Sequence, residues 1–127
     1  MEFAEDKKTI LLVDDNAALQ ELIKEIFETE GYDVYGALNG REALDFLSSD
    51  KVRVDLILLD LKMPVMDGYQ FRAQQLSDQK IASIPVLVLS ADDGSSKSAV
   101  EQLKAKGFCS KVSRVEDMLE TVRRCCA

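Results

Sequence analysis

At 127 residues and 46% hydrophobic composition, the chain has the size of one domain, long enough for a real core and unlike a disordered protein. Sixteen basic against 23 acidic residues leave a net charge of −7; an acidic surface is repelled by phosphate backbones, so no direct nucleic-acid binding is expected. No run approaches the roughly 18 apolar residues that span a bilayer, and Met1 to Lys8 is charged where a signal peptide would be apolar, so a cytoplasmic protein without membrane contact is expected.

Met1 to Lys8 reads as a flexible lead-in, and residues 9–127 as one domain. Thr9 to Val13 is an apolar run of strand length that ends on Asp14 and Asp15. Asn16 to Glu30 then places Leu19, Leu22, Ile23, Ile26 and Phe27 on one helix face, and Gly31 closes that helix. Asp33 to Ala37 is a weaker strand, and Asn39 can cap a helix over Gly40 to Ser49 that buries Ala43, Leu44 and Leu47. Val54 to Asp60 is a nearly unbroken apolar run, the pattern of a strand buried on both faces of a parallel sheet. Pro64 disfavours helix at Met63, and Asp67-Gly68 signals a loop passing into a helix.

That helix, Gly68 to about Leu76, is expected to turn Phe71 and Leu76 inward and Arg72, Gln74 and Gln75 outward. After a polar connection from Ser77 to Ile84, Pro85 to Leu89 is a strand ending on Ser90. Ala91 to Ser96 is a polar loop before a helix over about Lys97 to Lys106, whose thin apolar face predicts the least firmly anchored helix. Gly107 to Ser110 is a short final strand followed by Lys111. Ser113 and Glu116 have the spacing of a capping box for a last helix that buries Val115, Met118, Leu119 and Val122. The three cysteines lack metal-site spacing, so reduced thiols are expected, Cys109 in a buried strand and Cys125-Cys126 at a helix end. Strands alternating with helices predict an α/β fold, a (βα)5 chain with a five-stranded parallel sheet and helices on both faces.

Open α/β sheets bind ligands at the carboxyl ends of their strands. Two buried parallel strands ending on acids would bring Asp14, Asp15 and Asp60 together, an unfavourable arrangement unless a cation sits among them. Taken singly, Asp60 could merely end a strand, Lys111 could be a solvated charge, Ser90 a loop residue and Phe108 a core residue.

Val13-Asp14-Asp15-Asn16, Leu59 to Gly68, Leu89-Ser90-Ala91 and Phe108-Cys109-Ser110-Lys111 together resemble, in order and spacing, the response-regulator receiver domain of two-component signalling (CheY-like). The resemblance covers about Lys7 to Arg124 and implies a flavodoxin-like fold with strand order 2-1-3-4-5. It further implies that Asp60 is the phosphoacceptor and that Mg²⁺ is bound by Asp15, Asp60 and the backbone carbonyl of Lys62, with Asp14 acting mainly through water. Lys111 and Ser90 would contact the phosphoryl group, and Phe108 would be a switch aromatic that turns inward with Ser90. The implied activity is a signalling switch and not an enzyme with a substrate of its own. The chain has no His, so the donor would be a separate histidine kinase or histidine phosphotransfer protein. The reader would be a downstream target or a fused effector, and the switch itself a monomer or a weak phosphorylation-dependent dimer.

The chain departs from the family pattern where Val112 stands in place of the usual Pro, which predicts a trans Lys111-Val112 bond or a strained cis one. Lys104 stands where a Gly commonly ends the fourth helix. Lys62 and Asp92 occupy the two positions that in the receiver family flank the path of the hydrolytic water, where the resemblance implies that they could pair across the site or act as independent surface charges. Three other readings compete. An aspartate-nucleophile phosphatase lacks its general acid, since Lys62 stands two residues after Asp60. A flavin-binding protein would need a phosphate cradle where Asp14-Asp15-Asn16 stands. A phosphorylation-independent docking module would not need Asp14, Asp15, Asp60, Ser90 and Lys111 all retained.

Overall fold

The computed structural model describes residues 7–91, 96–111 and 114–126. Ten elements alternate along the chain: β1 (Thr9–Val13), α1 (Ala17–Thr29), β2 (Asp33–Ala37), α2 (Gly40–Ser48), β3 (Leu56–Asp60), α3 (Gly68–Leu76), β4 (Val86–Ser90), α4 (Ser96–Leu103), β5 (Gly107–Ser110) and α5 (Val115–Cys126). All strand pairs are parallel and the sheet order is β2-β1-β3-β4-β5, the flavodoxin-like arrangement expected from the sequence.

Strand alternation divides the apolar side chains between the two faces. Ile10, Leu12, Leu56, Leu58, Leu87 and Leu89 pack against Ile23 and Phe27 of α1 and Met118, Leu119 and Val122 of α5. Leu11, Val13, Ile57 and Leu59 pack on the other face against Ala43, Leu44 and Leu47 of α2 and Phe71 of α3. Each fully buried Leu or Ile contributes about 1.5–3 kcal/mol of transfer free energy, which is why the uninterrupted apolar runs fold as central strands. A smaller cluster, Val88, Ala99 and Leu103, holds α4.

The caps follow the sequence signals. Asn16 accepts from the Leu19 amide, Asn39 from the Glu42 amide, and Asp67 exchanges bonds with Gln70 in a full capping box. Ser113 of the predicted α5 box lies outside the described residues. At its far end α5 returns to the edge where the strands begin. There burial and the Asp55 carboxylate push the Cys126 thiol up, with Lys8 opposing.

Several side chains correct the sequence reading. Leu22 and Leu76, expected inward, are exposed. Arg72 and Gln75, expected outward, are buried, at 6% and 0% exposure. Arg72 Nε donates to Leu103 O at 2.9 Å, Nη2 to Lys104 O at 3.1 Å and Nη1 to Gln75 Oε1 at 2.7 Å. Gln75 Nε2 in turn donates to Ile81 O and Ile84 O. The reason is satisfaction of backbone acceptors: the last carbonyls of α4 and those of the α3–β4 connection need donors, and α3 supplies them. The same contact explains why α4 stops at Leu103 and not at Lys106. Lys104 takes a left-handed φ of 55°, the conformation a C-terminal Gly would adopt, with Arg72 Nη2 donating to its carbonyl.

Candidate functional site

Strand register builds the site. Val13 pairs with Leu59, so Asp14 emerges beside Asp60; Asp60 pairs with Leu89, so Ser90 lies one residue beyond it. Ser90 pairs with Ser110, and the Lys111 amide donates to Ser90 O at 2.7 Å. Residues 14, 60, 90 and 111 thereby reach one edge of the sheet without any long loop having to carry them there.

Lys111 Nζ lies 3.0 Å from Asp14 Oδ2 and 3.1 Å from Asp60 Oδ1. Asp60 Oδ1 also accepts from the Leu61 amide at 2.8 Å, and Asp14 Oδ1 accepts from the Asn16 amide at 2.9 Å. Asp60 Oδ2 has no hydrogen bond or ion pair among the described residues. Burial and the Asp14 charge push the Asp60 carboxyl above its ordinary range, against the pull of Lys111. Burial alone would lower the Lys111 ammonium, but Asp14 and Asp60 together outweigh it and hold the pKa up.

One oxygen from each of Asp14, Asp15 and Asp60 falls within a group spanning 4.8 Å. Asp14 Oδ2 is buried and, apart from the ion pair, receives no well-directed hydrogen bond among the described residues. Clustered hard oxygen donors with one of them under-satisfied fit a divalent cation such as Mg²⁺, which would relieve both repulsion and desolvation.

The surrounding loops press close. In the β3–α3 turn the Met66 amide bonds to Pro64 O at 2.7 Å around Val65, whose φ is 69°, a γ-turn geometry that is strained for a β-branched residue. A Cβ on Gly68 would stand 2.5 Å from Asp60 O, so only glycine lets α3 begin this near the β3 tip. Gln20, which the sequence reading left unassigned, reaches back from α1 to donate to Asp14 O at 2.8 Å and Ala37 O at 2.7 Å. Gly36 offers the space for that amide, the one signal that could have pointed to it.

Of the residues named from sequence, Asp14, Asp60 and Lys111 meet directly, and Asp15 joins them at the exposed rim. Ser90 is buried beside the edge, its Oγ 2.7 Å from Ser96 Oγ, a contact not foreseen because Ser96 was placed in the loop. Lys62 is exposed on the β3–α3 turn. Phe108, 43% exposed, is not the core residue its ordinary reading would make it. Asp92 and Val112 lie outside the described residues, and with them the Lys62–Asp92 pairing and the geometry of the Lys111-Val112 bond.

The family profile described as "Response regulator receiver domain" matches residues 10–123. The chain belongs to the response-regulator receiver family. A probable transcriptional regulator, ycf29 of Porphyra purpurea, is 32% identical over 116 residues, covering 90% of this chain and 54% of that protein. This receiver chain thus spans about half the length of that relative, and 48% of the response regulator MprA of Mycolicibacterium vanbaalenii, which is 36% identical over 90% of this chain. Among solved structures, the chemotaxis response regulator CheY4 of Vibrio cholerae superposes with a TM-score of 0.82 at 29% identity, covering 94% of this chain and 98% of that one. The Thermotoga maritima response regulator TrrA, solved in complex with Mg²⁺ and BeF, gives a TM-score of 0.78 at 29% identity, covering 93% and 98%. No described helix is long and apolar enough to cross a membrane.

Proposed function

We propose that this chain is a phosphorylation-activated switch of a two-component phosphorelay that accepts a phosphoryl group on Asp60. The observation that carries the reading is Lys111 Nζ bridging Asp14 and Asp60 at 3.0 and 3.1 Å, while Asp60 Oδ2 has no partner among the described residues. Asp60 Oδ2 attacks the phosphorus of a phosphohistidine on a histidine kinase or histidine phosphotransfer protein. The new O–P bond forms as the N–P bond breaks, and the leaving imidazole keeps the electron pair and takes a proton from solvent.

Asp15, Asp60 and the Lys62 carbonyl would hold Mg²⁺, with Asp14 acting mainly through water; when bound, the ion would supply positive charge against the phosphoryl oxygens and so offset the repulsion between two anions. Lys111 follows the transferred charge from the carboxylates to a phosphoryl oxygen, as a point charge on a flexible stem can. Ser90 Oγ donates to a second phosphoryl oxygen, and the Leu61 amide, already directed at Asp60 Oδ1, stays in place. These are positioning and electrostatic roles, which carry most of the catalysis of phosphoryl transfer. The aspartyl phosphate then shifts the population toward a form in which Phe108 turns inward and the face of α4, β5 and α5 changes shape for a protein target or fused effector. The chain turns over no separate substrate, works in the cytoplasm, and is a monomer or a weak dimer once phosphorylated.

The test is incubation with a small-molecule phosphodonor with and without Mg²⁺, reading intact mass for the parent and Asp60→Ala. A Mg²⁺-dependent adduct in the parent that Asp60→Ala lacks is the expected result. No adduct on a folded, metal-binding parent would overturn the reading in favour of a phosphorylation-independent docking module.

A further inference from the structure

Helix α4 is held at its two ends by different devices. At the C-terminal end the Arg72 guanidinium, itself buried, grips the carbonyls of Leu103 and Lys104. The Ala105 amide closes the same turn onto Val100 O, and the Lys106 amide ties the following residue to Val86 O. At the N-terminal end the hold involves the hydroxyl of Ser96, the first residue of the helix, 2.7 Å from Ser90 Oγ. Both serines are buried, at 6% and 7% exposure, so their bond is shielded from competing water. Ser90 stands on the strand next to Asp60, in reach of the edge where added charge would appear.

We infer that Ser96 is a latch: its bond to Ser90 Oγ holds the N-terminal end of α4 in the resting state and is exchanged for a Ser90–phosphoryl bond on phosphorylation, while Arg72 keeps the C-terminal end fixed. The inference rests on the proposed phosphorylation of Asp60. A bond to an ionised oxygen is roughly twice as strong as one between neutral groups, so Ser90 Oγ turns toward the phosphoryl group and away from Ser96, whichever of the two hydroxyls is the donor at rest. Ser96 then loses its partner on β4, and the first turn of α4 loosens around an anchored last turn. The consequence is a pivot of α4 in place of a translation. Ser96 is thus a positioning residue that acts through Ser90.

The measurement is amide hydrogen exchange on the full chain, read at Val100 and Glu101, whose amides bond back to the first turn of α4, and at Ala105 in the clamped turn. In the unphosphorylated state Ser96→Ala is expected to speed exchange at Val100 and Glu101 about fivefold, the equivalent of one hydrogen bond, with Ala105 unchanged. Ser90→Ala should do the same, and the double variant should add nothing to either single one, whereas Ser96→Thr, which keeps the hydroxyl, should match the parent. Phosphorylating the parent should speed Val100 and Glu101, and phosphorylating Ser96→Ala should speed them no further. Additive effects of the two alanine substitutions, or faster exchange at Ala105 as well, would overturn the latch. An adduct on the parent without any change in α4 exchange would sink the latch alone, and no adduct at all would take it down together with the proposed function.

Discussion

Two partly or fully buried cations, Arg72 in α3 and Lys111 just after β5, flank α4 along the chain and are used in opposite ways. Lys111 faces two carboxylates, at 3.0 and 3.1 Å, and they raise its pKa despite burial. Arg72 faces no carboxylate among the described residues; it donates to two backbone carbonyls and one amide oxygen, and burial lowers its pKa. An ammonium on four rotatable bonds, poised between anions, can follow charge when charge is added. A planar guanidinium locked on carbonyls that cannot change state has nowhere to go. This chain holds both kinds of cation, one between carboxylates at the strand ends and one on the carbonyls that end α4.

The strongest way to break that comparison is Arg72→Ala. It strands the Leu103 carbonyl and the Gln75 Oε1 acceptor in buried positions and the Lys104 carbonyl in a half-buried one, and is expected to cost about 2–4 kcal/mol in urea unfolding; Arg72→Lys, lacking the fork, should recover little of it. Cys109 offers a second readout of the same loss. Its thiol is buried and pushed to about 12, so at mildly alkaline pH a thiol reagent should reach it only through unfolding, and labelling followed by peptide mass should accelerate in step with the lost stability. Mg²⁺ should stabilise Arg72→Ala by the same increment as the parent.

Lys111→Met is the next largest and should behave differently. Without metal it leaves Asp14 and Asp60 facing each other, with an expected cost of about 1–2 kcal/mol. Mg²⁺ should then raise the unfolding midpoint of this variant by more than it raises the parent's, because the cation no longer competes with an ammonium. Equal increments in both proteins would mean that Lys111 and the metal do not share the carboxylates. The smallest effect concerns the turn that Arg72 holds: Lys104→Gly relieves a left-handed φ of 55° and keeps the carbonyl, for an expected gain of about 0.5 kcal/mol in the same unfolding assay.

The contrast also shows which parts of this molecule could be read before folding. The place of the candidate site was legible because apolar runs stop on Asp14 and Asp60, whereas Ser90 and Lys111 were singled out only by the resemblance to the receiver family. Arg72 was misread because a charged residue on a short helix is ordinarily a solvated one. A signal was present nonetheless: Phe71 and Leu76 are five residues apart and make no helical stripe, so the inward face of α3 had to be completed by something polar. Leu22 failed for the converse reason, since an apolar residue at the margin of a stripe carries no statement about which side of the margin it falls on. Ser96 was invisible because its importance lies in a contact with a serine six residues away, on a different element, and no periodicity encodes that. Gln20 was missed likewise, its role set by a glycine on a different element.

The return of α5 to the edge where the strands begin leaves Cys125 and Cys126 half-buried at the pole opposite Asp60, with the third thiol locked inside. That polarity suits oriented attachment: maleimide coupling through Cys125 and Cys126 would mount the molecule on a sensor chip with its acidic edge toward the flowing solution. Donor proteins and targets could then be passed over a uniformly presented surface without adding a tag.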